Sequence, residues 1–340
     1  MIISKAPLRI SFFGGGSDLA SFYTRCSGSV ISATINKFIY VAVNKTPHID
    51  QLSIAYSIKE VVTHPSELQH KRIRESLIDL GITNNIEIAS FASMVGGIGL
   101  GSSSSFSVAL VKALFASQEK KISKLQAAEY ACRLEIDLLG EPIGKQDQYA
   151  AALGGFNILH FNPDHSIDIH PVPINYKIRR GLEASLLLFF TGITRDASSV
   201  LTEQKTNTDQ NFEVLKTMVD MVPKFEKYLL DANFKKLGEM LHQGWLLKKT
   251  LSSTISNPAI DQLYTEGINA GAWGGKILGA GGGGCILFIA PPENKKAIAE
   301  SLTALAKKIN LSDCKEIPFK FIQSGVELLC NDAESSIDCL

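Results

Sequence analysis

The chain has 340 residues, 45% of them hydrophobic, enough for a large core and more than one domain usually takes. Lysine plus arginine and aspartate plus glutamate each total 34, so no basic excess is available to hold nucleic acid or an anionic membrane surface. No apolar run approaches the roughly 18 residues of a membrane span, and no leader pattern follows Met1, which predicts a cytoplasmic protein.

In chain order, residues 2–13 read as a strand broken at Pro7 that ends in Gly14-Gly15-Gly16. Short apolar strands follow at 38–43 and 86–89, with helical spacing between them at 66–80. A glycine- and serine-rich loop at 96–105 opens a Gly- and Pro-free apolar helix, and 124–139 is a second strong helix. Residues 156–161 and 167–170 read as a hairpin around Asn162-Pro163-Asp164. The polar stretch 175–181 marks a change of character, which sets the expected units at 1–180 and 181–340. Beyond it come a strand at 184–190 and helices at 197–205, 211–230 (interrupted at Pro223), 234–249 and 257–270. A glycine run at 279–284, a strand at 285–290, a helix at 294–308 and a last strand near 326–329 complete the pattern. Cys26, Cys132, Cys285, Cys314, Cys330 and Cys339 form neither CxxC pairs nor clusters with histidine, so reduced thiols are expected and zinc is not.

Four stretches carry chemistry. In the first, Arg9 within a strand precedes Gly14-Gly15-Gly16-Ser17-Asp18, placing a cation and a carboxylate at one tight loop. Arg9 there suits a transferring phosphate and Asp18 suits substrate hydroxyls; a helix cap at Ser17 or Asp18 and a structural pair for Arg9 are the plainer alternatives. In the second, Gly97, Gly99 and Gly101 lead into Ser102, Ser103 and Ser104 at a helix mouth. The first turn of a helix leaves backbone N–H groups unpaired, and its dipole favours an anion there. The spacing mimics a Walker A loop, but Ser102 stands where that motif has lysine. The plainer reading is a serine cap on a core helix.

In the third stretch, Glu135 falls on the apolar stripe of Leu125, Ala128, Cys132 and Leu139. A buried carboxylate needs a charged partner, either Mg²⁺ beside a phosphate or a structural salt bridge. Asp147 follows a turn built by Pro142 and Gly144, where a loop would present it to a pocket as a base or orienting group; a helix cap is the alternative. In the fourth, Gly279, Gly281 and Gly284 satisfy GxGxxG, yet a strand follows where a dinucleotide site has a helix. A glycine nest closing over phosphates or bordering the first two loops is the reading that remains, with Gly281 and Gly282 as candidate substrate contacts.

Together, Pro7 to Asp18, Gly97 to Ser105 and Lys276 to Gly284 resemble, in order and spacing, the three motifs of the GHMP small-molecule kinases. The resemblance implies an α+β fold of two domains: an N-terminal α/β domain with a left-handed βαβ crossover and a ferredoxin-like C-terminal domain. It implies ATP in the cleft with Gly97, Gly99, Gly101 and Ser102 to Ser104 on its phosphates, Ser103 and Glu135 as Mg²⁺ ligands, and Asp147 and Arg9 as catalytic groups. Phe12 to Asp18 and Gly144 to Tyr149 resemble a narrower branch, the heptose 7-phosphate kinases and, slightly less closely, the L-fucokinase domains. That branch implies phosphorylation of an anomeric hydroxyl, with Gly15, Gly16, Ser17 and Asp18 on the sugar. A sugar phosphate needs cations of its own, and Arg195, at the start of a helix, is the first candidate, followed by Lys145, Arg72 and Arg74. The sequence does not fix an oligomeric state; a homodimer is compatible with it.

Overall fold

The computed structural model describes residues 1–194 and 197–332, the side chains of 197–199, 204 and 205 excepted. The chain opens with β1 (Ile2–Phe13), α1 (Ala20–Tyr23), β2 (Gly28–Lys45), β3 (Leu52–Ala55) and β4 (Lys59–Val62). Next come α2 (Lys71–Asp79), β5 (Ile86–Ala92), α3 (Ser102–Ser117) and α4 (Lys124–Cys132), which runs on as a π-helical segment, Arg133–Leu138. Then follow α5 (Gln146–Leu153), β6 (Phe156–Phe161), β7 (Ile167–Pro171) and α6 (Tyr176–Ser185). The remainder is β8 (Leu186–Phe190), α7 (Ala197–Thr206), α8 (Phe212–Asp220), α9 (Val222–Leu230), α10 (Phe234–Thr250), α11 (Pro258–Asn269), β9 (Gly274–Ile277), β10 (Cys285–Ile289), α12 (Lys295–Lys308), β11 (Lys315–Glu316) and β12 (Glu327–Asn331).

Eight strands form the first sheet, in the order β12-β1-β2-β5-β3-β4 with β6 and β7 branching from β2. The branch arises because β2 is 18 residues long: its first half pairs with β6 and its second with β5. The sequence expectation covered only 38–43 of β2, since the earlier half carries Ser, Thr and Asn that weaken the apolar signal. Pro7 does not break β1; the pairing to β2 shifts register between Pro7 and Leu8, and a bulge absorbs the missing N–H.

The second sheet is antiparallel, in the order β11-β8-β10-β9. The stretch expected as a polar connector is α6, capped by the Asn175 side chain on the Ile178 N–H at 2.9 Å, with Ile178 and Leu182 turned inward. β12, which the sequence reading placed in the second unit, returns to pair antiparallel with β1. Phe12 of β1 stacks on Phe225 of α9 with ring centroids 5.2 Å apart, so apolar packing joins the two halves in one core. Among the described residues, no helix is long and apolar enough to cross a membrane.

Candidate active site

A cleft of about 570 Å³ lies between the two halves, and the expected loops meet there. Gly97, Gly99, Gly101 and Ser102 to Ser104 form one wall, and Gly279, Gly281 and Gly283 face them. Close backbone approach explains the glycines: a Cβ on Gly99, whose φ is +80°, would lie 2.5 Å from the Leu278 carbonyl oxygen. α3 begins without a side-chain cap, because Gly101 in a left-handed conformation takes the cap position. The serine cap of the plainer reading is therefore not used. Ser105 N–H bonds to Gly101 O at 2.9 Å, and the preceding turn presents its N–H groups at the cleft wall, suited to an anion.

Arg9 and Asp147 form a bidentate pair: Nε donates to Oδ1 at 2.6 Å and Nη2 to Oδ2 at 2.7 Å. The remaining arm of Arg9 donates to Gly99 O at 2.8 Å, which ties the pair to the phosphate loop. Asp147 sits in the first turn of α5 rather than on a loop, and the helix dipole favours its charge. Beside it, Asp18 is 3% exposed and accepts from Gly16 N–H at 3.0 Å, Gln146 N–H at 3.2 Å and Gln146 Nε2 at 3.0 Å. Burial, and then the Asp147 charge, raise the pKa of Asp18 above the ordinary carboxylate value. Gly144 packs against it, where a Cβ would fall 1.9 Å from an Asp18 carboxylate oxygen.

Glu135 is fully buried in the π-helical segment, and its charged partner is Arg72, whose Nε donates at 3.1 Å. Ser104 and Ser107 each donate to it at 2.8 Å, and Gln148 Nε2 donates as well. A π-turn widens the helix and turns this carboxylate toward α3 and α5. Its oxygens are engaged by four donors, Ser103 is not among them, and the carboxylate does not line the cleft. Among the described residues no group of three or more His, Cys, Asp or Glu is placed to hold a metal. The arrangement therefore does not offer a divalent ion a free carboxylate at Glu135; such an ion would have to take over the place of Arg72.

Of the remaining expected substrate residues, Gly15, Gly16 and Arg72 line the cleft. Arg72 is committed to Glu135 and, at 2.6 Å, to Glu141. Ser17, Lys145, Arg74 and Gly282 do not line it. Ser17 holds β2, donating to Ser29 O at 3.2 Å and accepting from Ser29 N–H at 3.0 Å. Lys145 lies over the Tyr23 ring, Arg74 pairs with Glu75, and Gly282 N–H bonds Ile255 O. Arg195 lies outside the described residues.

Sequence reasoning missed two lysines that line the cleft, Lys248 and Lys276. Lys276 opens the fourth motif, and Lys248 continues the stripe Leu237, Leu241, Gly244 of α10. A lysine at the end of an apolar stripe was the available signal. Burial, followed by the neighbouring charges of Lys276 and Arg9, pulls Lys248 well below the ordinary lysine pKa; burial and Arg9 bring Lys276 to about 7.

The model of the GHMP kinases N terminal domain matches residues 57–155, and that of the GHMP kinases C terminal matches residues 225–308. A D-glycero-alpha-D-manno-heptose 7-phosphate kinase of Campylobacter jejuni is 29% identical over 315 residues, covering 88% of this chain and 93% of its own. A bifunctional fucokinase/GDP-fucose pyrophosphorylase of Arabidopsis thaliana is 26% identical over 86% of this chain and 30% of its own. The crystal structure of a D-glycero-D-manno-heptose 1-phosphate kinase from Bacteriodes thetaiotaomicron superposes with a TM-score of 0.79 at 26% identity, covering 97% of this chain and 99% of that one. Both domain models in chain order, full-length likeness to kinases of this fold, and three glycine loops meeting at one cleft agree: the chain belongs to the GHMP kinases, with their two-domain α+β fold.

Proposed function

We propose that the chain is an ATP-dependent sugar 1-kinase acting on D-glycero-D-manno-heptose 7-phosphate. The product would be the 1,7-bisphosphate, a precursor for nucleotide-activated heptose. The observation that carries this reading is the Arg9–Asp147 pair standing beside the open N-terminus of α3 in one cleft. The likeness to heptose phosphate kinases supports the sugar class.

In this reading the N–H groups of Ser102 to Ser104 hold nucleotide phosphates, and Arg9 faces the oxygens on which charge accumulates. Asp147 accepts or orients the proton of the anomeric hydroxyl. The two-bond fork to Arg9 fixes the direction of its carboxylate, which favours an orienting role, and an anomeric hydroxyl is more acidic than an ordinary alcohol. Asp18, Gly15 and Gly16 meet the sugar, with Gln146 fixing the Asp18 carboxylate. Catalysis then comes mainly from positioning and electrostatics. GHMP kinases generally need a divalent metal; in this chain Arg72, Ser104, Ser107 and Gln148 already engage the Glu135 carboxylate. The adjoining recess of about 260 Å³, lined by Ile39, Met94 and Phe106 and sharing Ser102 and Ser103, suits the nucleotide base.

A second reading, an L-fucokinase or another kinase of unphosphorylated sugars, is favoured by one observation. Arg72, Arg74 and Lys145 are all engaged elsewhere and do not offer themselves to a sugar phosphate. A coupled assay of ADP release with heptose 7-phosphate, mannose, fucose and galactose separates the two. Turnover highest with heptose 7-phosphate is expected; a preference for fucose selects the second reading, and no ADP release with any sugar refutes both.

A further inference from the structure

We propose that Lys248 and Lys276 form an anion seat on the cleft wall contributed by the second half of the chain, built to hold phosphoryl oxygens. The proposal deepens the kinase reading and rests on it only for which phosphoryl group arrives there.

Both side chains are 7% exposed, and both line the cleft with Arg9 and Ser11. Lys248 Nζ donates to the carbonyls of Ile277, at 3.1 Å, and Gly279. Lys276 Nζ donates to the carbonyls of Ser11 at 3.1 Å and Phe12 at 2.8 Å, and lies 6.0 Å from the Phe13 ring centroid. In its protonated form each side chain carries three N–H donors, so one on each then has no hydrogen-bond acceptor among the described residues and is left for an arriving anion.

Carbonyls and a ring face satisfy donors without cancelling a charge. No carboxylate among the described residues pairs with either lysine: in the same cleft Asp147 is taken by Arg9, and Asp18 accepts from Gly16 and Gln146. Two buried ammonium groups without a counter-charge are costly in the empty protein and become favourable when an anion arrives. Their depressed pKa values report that cost. A phosphoryl group is the anion that the opposing wall, the N-terminus of α3, also suits. Two sources present this chemistry: the terminal phosphate of the nucleotide and the acceptor sugar's own phosphate.

The plain structural alternative is a strap, in which Lys276 fastens β9 to β1 through the Ser11 and Phe12 carbonyls. Lys248→Met and Lys276→Met separate seat from strap. Calorimetric titration with inorganic phosphate, ATP, heptose 7-phosphate and the unphosphorylated heptose, together with a thermal melt without ligand, is the test. The expected result is at least a tenfold loss of affinity for inorganic phosphate, with an unliganded melting temperature equal to or above that of the parent. A parallel loss for ATP assigns the seat to the nucleotide; a loss for heptose 7-phosphate but not for heptose or ATP assigns it to the sugar phosphate. Affinities within twofold for all four probes overturn the proposal. If a Met variant does not fold, the corresponding Gln variant, which keeps a donor for the carbonyls without the charge, carries the test; failure of both to fold marks the lysines as a strap and also overturns it. Because the phosphate arm needs no turnover, loss of the kinase reading would show separately, as absent ADP release by the parent protein.

Discussion

Asp147→Asn tests the centre of the proposed chemistry. The substitution removes one charge, keeps the volume, and breaks a two-bond fork at 2.6 and 2.7 Å. One amide oxygen still accepts from Arg9, while the amide N–H₂ faces the other guanidinium N–H. Arg9 is 4% exposed and then keeps Gly99 O as its firm partner. Removing one member of a fully buried pair costs about 3–5 kcal/mol. Asp147 is 23% exposed, so water shares the loss and about 2–3 kcal/mol of stability is expected here. The catalytic effect is a fall in kcat of roughly 10²–10⁴, equivalent to about 2.7–5.5 kcal/mol of barrier. ATP affinity should change little, because the α3 N-terminus is untouched. Coupled ADP release gives kcat, calorimetry gives ATP binding, and urea unfolding gives stability. Turnover within threefold of the parent would remove Asp147 from the reaction. Equal losses in kcat and ATP affinity would instead show a collapsed cleft.

Other perturbations probe separate parts of the site. Gly144→Ala places a methyl on the Asp18 carboxylate and should raise KM for the sugar more than tenfold with KM for ATP nearly unchanged; equal changes in both refute a sugar-facing Asp18. Arg72→Met leaves the fully buried Glu135 without its charged partner and should lower stability by about 3 kcal/mol, read from the urea midpoint, with a change below 0.5 kcal/mol as the contrary result. Millimolar Mg²⁺ without nucleotide should not shift the melting temperature, because Glu135 is already saturated; a shift abolished by Glu135→Gln would show that a cation displaces Arg72. Lys276 loses its proton near pH 7 when folded but keeps it to about 10.5 when unfolded. Between those values the unfolded chain binds more protons, so this lysine makes stability rise with pH, by up to about 1.4 kcal/mol per unit. Urea midpoints at pH 7, 8 and 9 should show the rise in the parent and a smaller one in Lys276→Met; identical slopes would contradict it.

Local sequence carried the elements whose cause is local. Glycines before a serine run announced an open helix N-terminus, the strand after Gly279 to Gly284 ruled out a dinucleotide fold, and Arg9, Asp18 and Asp147 stood out as charges beside tight turns. Each signal lies within a few residues of its consequence, where backbone preference and burial period act directly.

Only the tertiary structure decided which charges meet. Glu135 called for a cation, but neither spacing nor composition could name Arg72, 63 residues earlier, over a metal. Lys248 and Lys276 belong to a helix and a strand that look like ordinary core, and their common cleft exists only once β9 packs on α10 beside β1. β12 likewise pairs with a strand more than 300 residues away, although its sequence says only that it is extended. Long-range pairing depends on shape and charge brought together by the whole fold, and a one-dimensional pattern holds no measure of that distance.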